Sequence, residues 1–230
     1  TGGALPADWR TASWNKGTVK TEGGDLLIDG RPDSYAMTAA LLPVDLEDKS
    51  NYRVDVEFTI DAANDKGRWV SVMYRTSSSA NTIAYEPYYQ FAIRQDATAG
   101  SGTELAFRKD GKWDVQSAKV FSEAISKDKV YKATVIVHGN RVRQYLNGVL
   151  LHDTTITSGP MQGGVGLQTA GALLRVKSVK VTEQLTPLPE FDKPIAVQDT
   201  GTSASMAPTL VQGMSTLAAK AGDGSSNSLY

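Results

Sequence analysis

From Asn51 to Ile60 the chain alternates cleanly: Tyr52, Val54, Val56, Phe58 and Ile60 on one face, and Arg53, Asp55, Glu57 and Thr59 on the other. A period of two over ten residues predicts a half-buried strand with its apolar side toward a core. Arg68–Thr76 and Pro87–Arg94 are rich in aromatic and β-branched residues and read as further strands. Lys129–Val137 and Arg175–Val181 repeat the pattern. Between such runs stand Asp110-Gly111, Gly139-Asn140 and Asn147-Gly148. These pairs supply the positive φ angles of tight hairpin turns, so this part of the chain reads as an antiparallel meander. Gly163, Gly164 and Gly166 predict a strand whose backbone bends or closely approaches a neighbour. About a dozen strands follow one another at the short spacing of a sandwich or barrel.

The pattern changes at Leu185. Pro187, Pro189 and Pro194 make a semi-rigid connector, and Ile195–Gln198 reads as a short strand. Beyond it Leu210, Val211, Met214, Leu217, Ala218 and Ala221 fall at helical spacing after Pro208 and before Gly222. The expected division is therefore a β-sandwich over 1–184, then a Pro-rich linker with one short amphipathic helix over 185–230. A lone helix of about 15 residues is marginal in water. Its apolar face, with Leu210, Met214 and Leu217, is expected to dock on the β domain, a protein partner or a downstream domain.

Composition narrows the chemistry. Of 230 residues, 24 are Lys or Arg and 25 are Asp or Glu, for a formal charge of -1. No positive footprint for nucleic acid is present. No apolar run reaches the ~20 residues of a membrane-spanning helix. Cysteine is absent, which excludes disulfides, thiolate metal sites and a cysteine nucleophile. The absence of cysteine, 21 glycines and the Ser/Thr/Asn-rich loops suggest export, to an extracellular or periplasmic location.

Three segments carry a family resemblance. WVSVMYRT (69–76) with YYQFAIR (88–94), and HGNRVRQYLNGVLLHDTT (138–155) with GGVGLQTAGALLRVKSVKV (163–181), resemble the paired strands of concanavalin A-like lectin/glucanase jelly rolls. The opening LPADWRTASWNKGTVKTEGGDLLIDG (5–30) is similar to the first strands of the laminin-G-like and 3-keto-disaccharide-hydrolase-like branches. The resemblance implies an all-β, two-sheet antiparallel jelly-roll sandwich with a concave and a convex sheet, and saccharides bound on the concave face or its rim loops.

Several residues are candidates to line such a site. Arg75 and Arg94 each end an apolar strand, and their forked donors suit sugar hydroxyls or carboxylates. With Tyr89 and Gln90 they are expected to line a groove. Trp69 and Trp113 are candidate stacking platforms, because the C–H face of a sugar is apolar while its rim is polar; Trp9 and Trp14 are expected to cover the core. No catalytic residue is assigned. The Glu-x-Asp-x-x-Glu pattern of jelly-roll glucanases and the G-x-S-x-G elbow are both absent. Asp55 and Glu57 read as a solvated strand face, and His138 and His152 as turn or hydrogen-bonded histidines. No cofactor is expected, with calcium at Asp61, Asn64 and Asp65 as the exception considered. The resulting expectation is a non-catalytic module binding an oligo- or polysaccharide, accessory to a larger exported protein. A 3-keto-disaccharide-hydrolase-type enzyme and an assembly domain remain the alternatives.

Overall fold

The computed structural model describes residues 5, 9–13, 16–33, 35, 37–43, 46, 48–77, 86–184 and 187–188, with backbone alone for 204–211 and 214–221. The chain forms two compact units, Thr1–Leu185 and Thr186–Tyr230.

The first unit contains fourteen strands among its described residues. In chain order they are β1 (Arg10–Ser13), β2 (Thr18–Glu22), β3 (Asp25–Asp29), β4 (Thr38–Leu41), β5 (Tyr52–Ala63), β6 (Trp69–Thr76) and β7 (Tyr88–Arg94). They continue as β8 (Thr103–Lys109), β9 (Lys112–Lys119), β10 (Tyr131–His138), β11 (Arg141–Leu146), β12 (Val149–Thr155), β13 (Gly164–Ala170) and β14 (Ala172–Glu183). One sheet has the order β12-β11-β10-β5-β14-β3-β2 and the other β1-β4-β13-β6-β7-β8-β9, with every pairing antiparallel. The strand spacing predicts a sandwich or barrel, and the family resemblance implies this two-sheet jelly-roll sandwich. The two layers are called here the β5 sheet and the β6 sheet.

Strand pairing follows local chemistry. The β8–β9 and β11–β12 hairpins turn at Asp110-Gly111 and Asn147-Gly148, whose four φ angles are all positive (50° to 81°). Both central residues of a type I′ turn need this conformation, and its twist matches that of the flanking strands. Between the sheets, Val54, Val56, Phe58 and Ile60 of β5 join Val70, Val72, Tyr74, Phe91, Ile93 and Leu105 in one buried cluster. Gln144 from β11 reaches across this layer, donating through Nε2 to the Tyr74 hydroxyl (3.0 Å) and the Gln90 carbonyl (3.3 Å). Trp9 packs on the same core, while Trp14 lies outside the described residues.

The glycines of β13 permit close approach. A Cβ on Gly163 would stand 2.5 Å from the Thr76 carbonyl oxygen, and one on Gly166 would stand 3.1 Å from that of Ala40. Gly163 also has a φ of +133°, a conformation L side chains rarely adopt.

The second unit corrects the expected tail helix. Its described backbone forms two antiparallel strands, β15 (Ala204–Val211) and β16 (Met214–Ala221), with Val211 opposite Met214. Leu210, Met214 and Leu217 therefore do not form one helical stripe. Gly213 would weaken a helix there by about 1 kcal/mol relative to Ala. Thr209, Val211 and Thr216 are β-branched and favour the extended form. Pro208 lacks an N–H, but in a two-stranded ribbon both strands are edges that tolerate it. Ile195–Gln198 lies outside the described residues.

Candidate functional site

Period-two alternation gives the β6 sheet two different faces. Val70, Val72, Tyr74, Phe91 and Ile93 face the inter-sheet core, whereas Met73 and Tyr88 belong to a separate cluster with Ala39 and Leu41 on the outer side. Cross-strand register extends this outer face. Ser71 lies opposite Ala92 on one side and Gln168 on the other; Met73 lies between Gln90 and Gly166; Gln90 pairs in turn with Ala106. The middle of the face thus combines small residues, Ala39, Ala92, Ala106 and Gly166, with Met73 and the polar Ser71, Gln90 and Gln168. The three polar residues place hydrogen-bonding groups within this buried floor.

Those polar groups are unevenly satisfied. The Gln168 side-chain oxygen and nitrogen lie 3.2 and 3.1 Å from the Tyr88 hydroxyl. Ser71 Oγ and Gln90 Oε1, both buried, have no hydrogen-bond partner among the described residues. An unsatisfied buried polar atom costs on the order of 1–3 kcal/mol and calls for a physical explanation.

Aromatic and charged residues surround the floor. Trp69 pairs with Arg94 at the end of β7, while Trp113 lies across Arg108 from Tyr88 at its start. Their indoles nevertheless meet edge to face across the sheet, with centroids 6.0 Å apart. Trp113 also meets Tyr88 edge-on at 6.0 Å, and the Arg108 guanidinium sits 4.6 Å from its ring centroid. Arg108 Nε donates to Glu86 Oε1 (2.7 Å), and Glu86 Oε2 accepts from the Gly111 N–H (2.8 Å). Arg94 donates to Glu104 (2.7 Å) and to the carbonyls of Ser101 (2.7 Å) and Gly67 (3.1 Å). Trp113 remains 37% exposed, so a ring at this rim meets solvent.

The fold brings Trp69, Gln90, Arg94 and Trp113 to one face but separates Tyr89 and Arg75 from it. Tyr89 is adjacent to Gln90 in sequence and so points the opposite way. It is fully buried, stacks on Phe107 at 4.7 Å and on Tyr74 at 5.8 Å, and donates its hydroxyl proton to the Ser158 carbonyl. The expected groove that joined Tyr89 to Gln90 is corrected by alternation itself. Arg75 leaves the alternation altogether: Thr76 pairs with Gly164 and Tyr74 with Val165, so Arg75 is the extra residue of a bulge. Sequence reasoning missed Ser71, Gln168 and Arg108. Ser71 is legible as the residue two beyond Trp69, but Gln168 and Arg108 enter only through strand pairing.

Other candidate groups lie elsewhere. Asp55 and Glu57 line a groove of about 470 Å³ on the outer side of the β5 sheet, with Arg53, Lys132 and Lys180. Burial raises the Asp55 carboxyl, but hydrogen bonds from Arg53 and Thr134 outweigh it and bring the pKa down to about 2, so this carboxylate is ionised and no general acid. Asp61 accepts from Thr59 (2.5 Å) and Arg175 (2.6 Å), and Asp65 from Arg68 (2.6 Å) and the Gly67 N–H (2.8 Å). Asn64 donates to the Arg31 carbonyl (2.9 Å). The Asp61 and Asp65 carboxylates thus accept from donors of the protein itself. Among the described residues no three His, Asp or Glu side chains gather at one point, and no helix is long and apolar enough to cross a membrane.

Solved structures share this architecture. The carbohydrate-binding module CBM66 from Bacillus subtilis superposes with a TM-score of 0.61 at 18% identity, over 76% of this chain and 96% of its own. A B. subtilis protein of unknown function with a galectin-like fold gives 0.59 at 12%, over 76% and 89%. The carbohydrate recognition domain of Emp47p gives 0.56 at 12%, over 79% and 91%. At these identities the likeness establishes the fold. No curated protein matches the chain. The family model for the 3-keto-alpha-glucoside-1,2-lyase-like domain matches residues 2–182, so the chain belongs to that family.

Proposed function

We propose that this domain binds a neutral oligo- or polysaccharide on the outer face of the β6 sheet and acts there as a non-catalytic module of a larger exported protein. The observation that carries the reading is the pair of buried oxygens without partners among the described residues, Ser71 Oγ and Gln90 Oε1, on the face that also carries the Trp113 ring. Sugar hydroxyls supply the missing partners, and an indole offers an apolar platform to a pyranose face. Two of the structural neighbours are by name a carbohydrate-binding module and a carbohydrate recognition domain, and the family is named for a glucoside.

Chemistry on a 3-keto-glucoside is the second reading, favoured by the family match. The carboxylates bordering the face argue for binding instead, because Glu86 and Glu104 are tied to Arg108 and Arg94. Calorimetric titration with a panel of glucans, fructans and their oligosaccharides tests the first reading. Heat is expected for at least one member, weakened at least tenfold by Trp113→Ala at unchanged melting temperature. No heat across the panel, or collapse of the fold in Trp113→Ala, would end it. Consumption of a 3-keto-glucoside followed by chromatography, lost in Glu104→Gln, would establish the enzyme.

A further inference from the structure

Arg75 is fully buried, yet its guanidinium meets no carboxylate among the described residues. Nη2 donates to the Gly139 carbonyl in the β10–β11 turn, Nη1 stands 3.6 Å from Met161 Sδ, and Nε has no partner among the described residues. A thioether is a weak acceptor, and guanidinium stays charged even when burial, as here, works against the cation. Buried arginines are ordinarily paired because an uncompensated buried charge is strongly destabilising.

The backbone carries a second cost. Arg75 has a φ of 54°, the left-handed region, at a bulge position that glycine usually fills. A hydrogen bond from its N–H to the Tyr52 hydroxyl (2.9 Å) and the close approach of Gly163 hold it there. Non-glycine residues kept in such conformations by their surroundings cluster at ligand sites. What lies against the outer end of the fork is Met161, 38% exposed and therefore displaceable.

We infer that Arg75 is the receptor for a carboxylate-bearing ligand, which enters between the Gly139 turn and the 156–163 segment by displacing the Met161 side chain. A carboxylate presents two oxygens in a plane and matches the guanidinium fork, which a lone hydroxyl does not. This site is distinct from the outer face of the β6 sheet and does not depend on that reading.

The test follows the melting temperature of the full chain with sodium glucuronate, sodium acetate, or glucose plus sodium chloride at equal ionic strength. Both carboxylates are expected to raise it by several degrees while glucose with chloride does not, since a ligand selective for the native state stabilises it. A response to glucuronate at lower concentration than to acetate identifies an acidic sugar; equal responses identify a free carboxylate. Met161→Glu is expected to raise the melting temperature without ligand and abolish the acetate response, while Met161→Gln does neither. No shift with either carboxylate, an equal shift with glucose, or a Met161→Glu variant that melts below Met161→Gln would overturn the inference.

Discussion

His152 Nδ1 lies 2.9 Å from Ser117 Oγ, and this contact joins the edge strand of the β5 sheet to the edge strand of the β6 sheet. The other ring nitrogen lies 3.1 Å from Thr103 Oγ1, whose own proton goes to the Lys119 carbonyl (3.0 Å). Thr103 therefore accepts from Nε2–H, leaving Nδ1 to accept from Ser117. A neutral ring with its proton on Nε2 satisfies both bonds, and it sits edge-on to Phe91 at 5.9 Å. Burial, reinforced by the nearby Lys119 charge, lowers its pKa to about 4.

That depression predicts a pH dependence of stability. The ordinary histidine value is 6.5, so between that and about 4 the unfolded chain holds more protons at this position than the folded one. The stabilisation is complete above pH 6.5 and is lost as the pH falls through 4, amounting to about 3 kcal/mol. Urea unfolding at pH 7 and pH 4.5 should show most of this loss in the native sequence and little of it in His152→Gln. Parallel profiles for the two proteins would contradict the assignment.

Asp55 titrates in a separate, more acidic window. Its folded pKa of about 2 lies below the ordinary 3.8, so its contribution is present above pH 3.8 and disappears as the pH falls through 2. Asp55→Asn is expected to cost about 2 kcal/mol at pH 7 and to converge with the native sequence near pH 2. Equal destabilisation at both pH values would mean that shape, not charge, holds this site together.

Gly163 and Gly111 separate backbone strain from steric conflict. Both have positive φ, +133° and +73°, but a Cβ on Gly111 meets nothing within 4 Å, whereas one on Gly163 meets main-chain atoms of Arg75 and Thr76. Gly111→Ala is expected to cost about 1 kcal/mol and Gly163→Ala at least ~3 kcal/mol, read as denaturation midpoints. Similar costs would show that the β6–β13 bulge is more compliant than its geometry implies.

Removing the unpartnered oxygens should have opposite effects on stability and recognition. Ser71→Ala and Gln90→Met each delete a buried oxygen that has no protein partner. Melting temperatures are expected to hold or rise, because the desolvation cost goes with the oxygen. Saccharide affinity should fall at least fivefold by calorimetry. Loss of stability in both variants would place these groups in the scaffold.

Much of the architecture is legible because burial of alternate residues is a local property of a strand. Asn51–Ile60 shows it directly, and the Asx-Gly turns follow from the φ angles those residues tolerate. The same rule, applied one residue at a time, would have separated Tyr89 from Gln90. The tail is the opposite case: apolar residues at helical spacing also fit a hairpin when β-branched residues and a Gln-Gly step interrupt them, and backbone pairing decides.

The sequence by itself determined the strand periodicity, the hairpin turns and the residue types from which a site could be made. Only the tertiary structure decided that Ser71, Gln90 and Gln168 share a floor, that Trp69 and Trp113 meet although they start from opposite ends of the face, and that Arg75 is buried without a counterion among the described residues. Register between strands distant in the chain and the single extra residue of a bulge set these relations. Neither leaves a local trace, because both depend on which neighbour each strand finds.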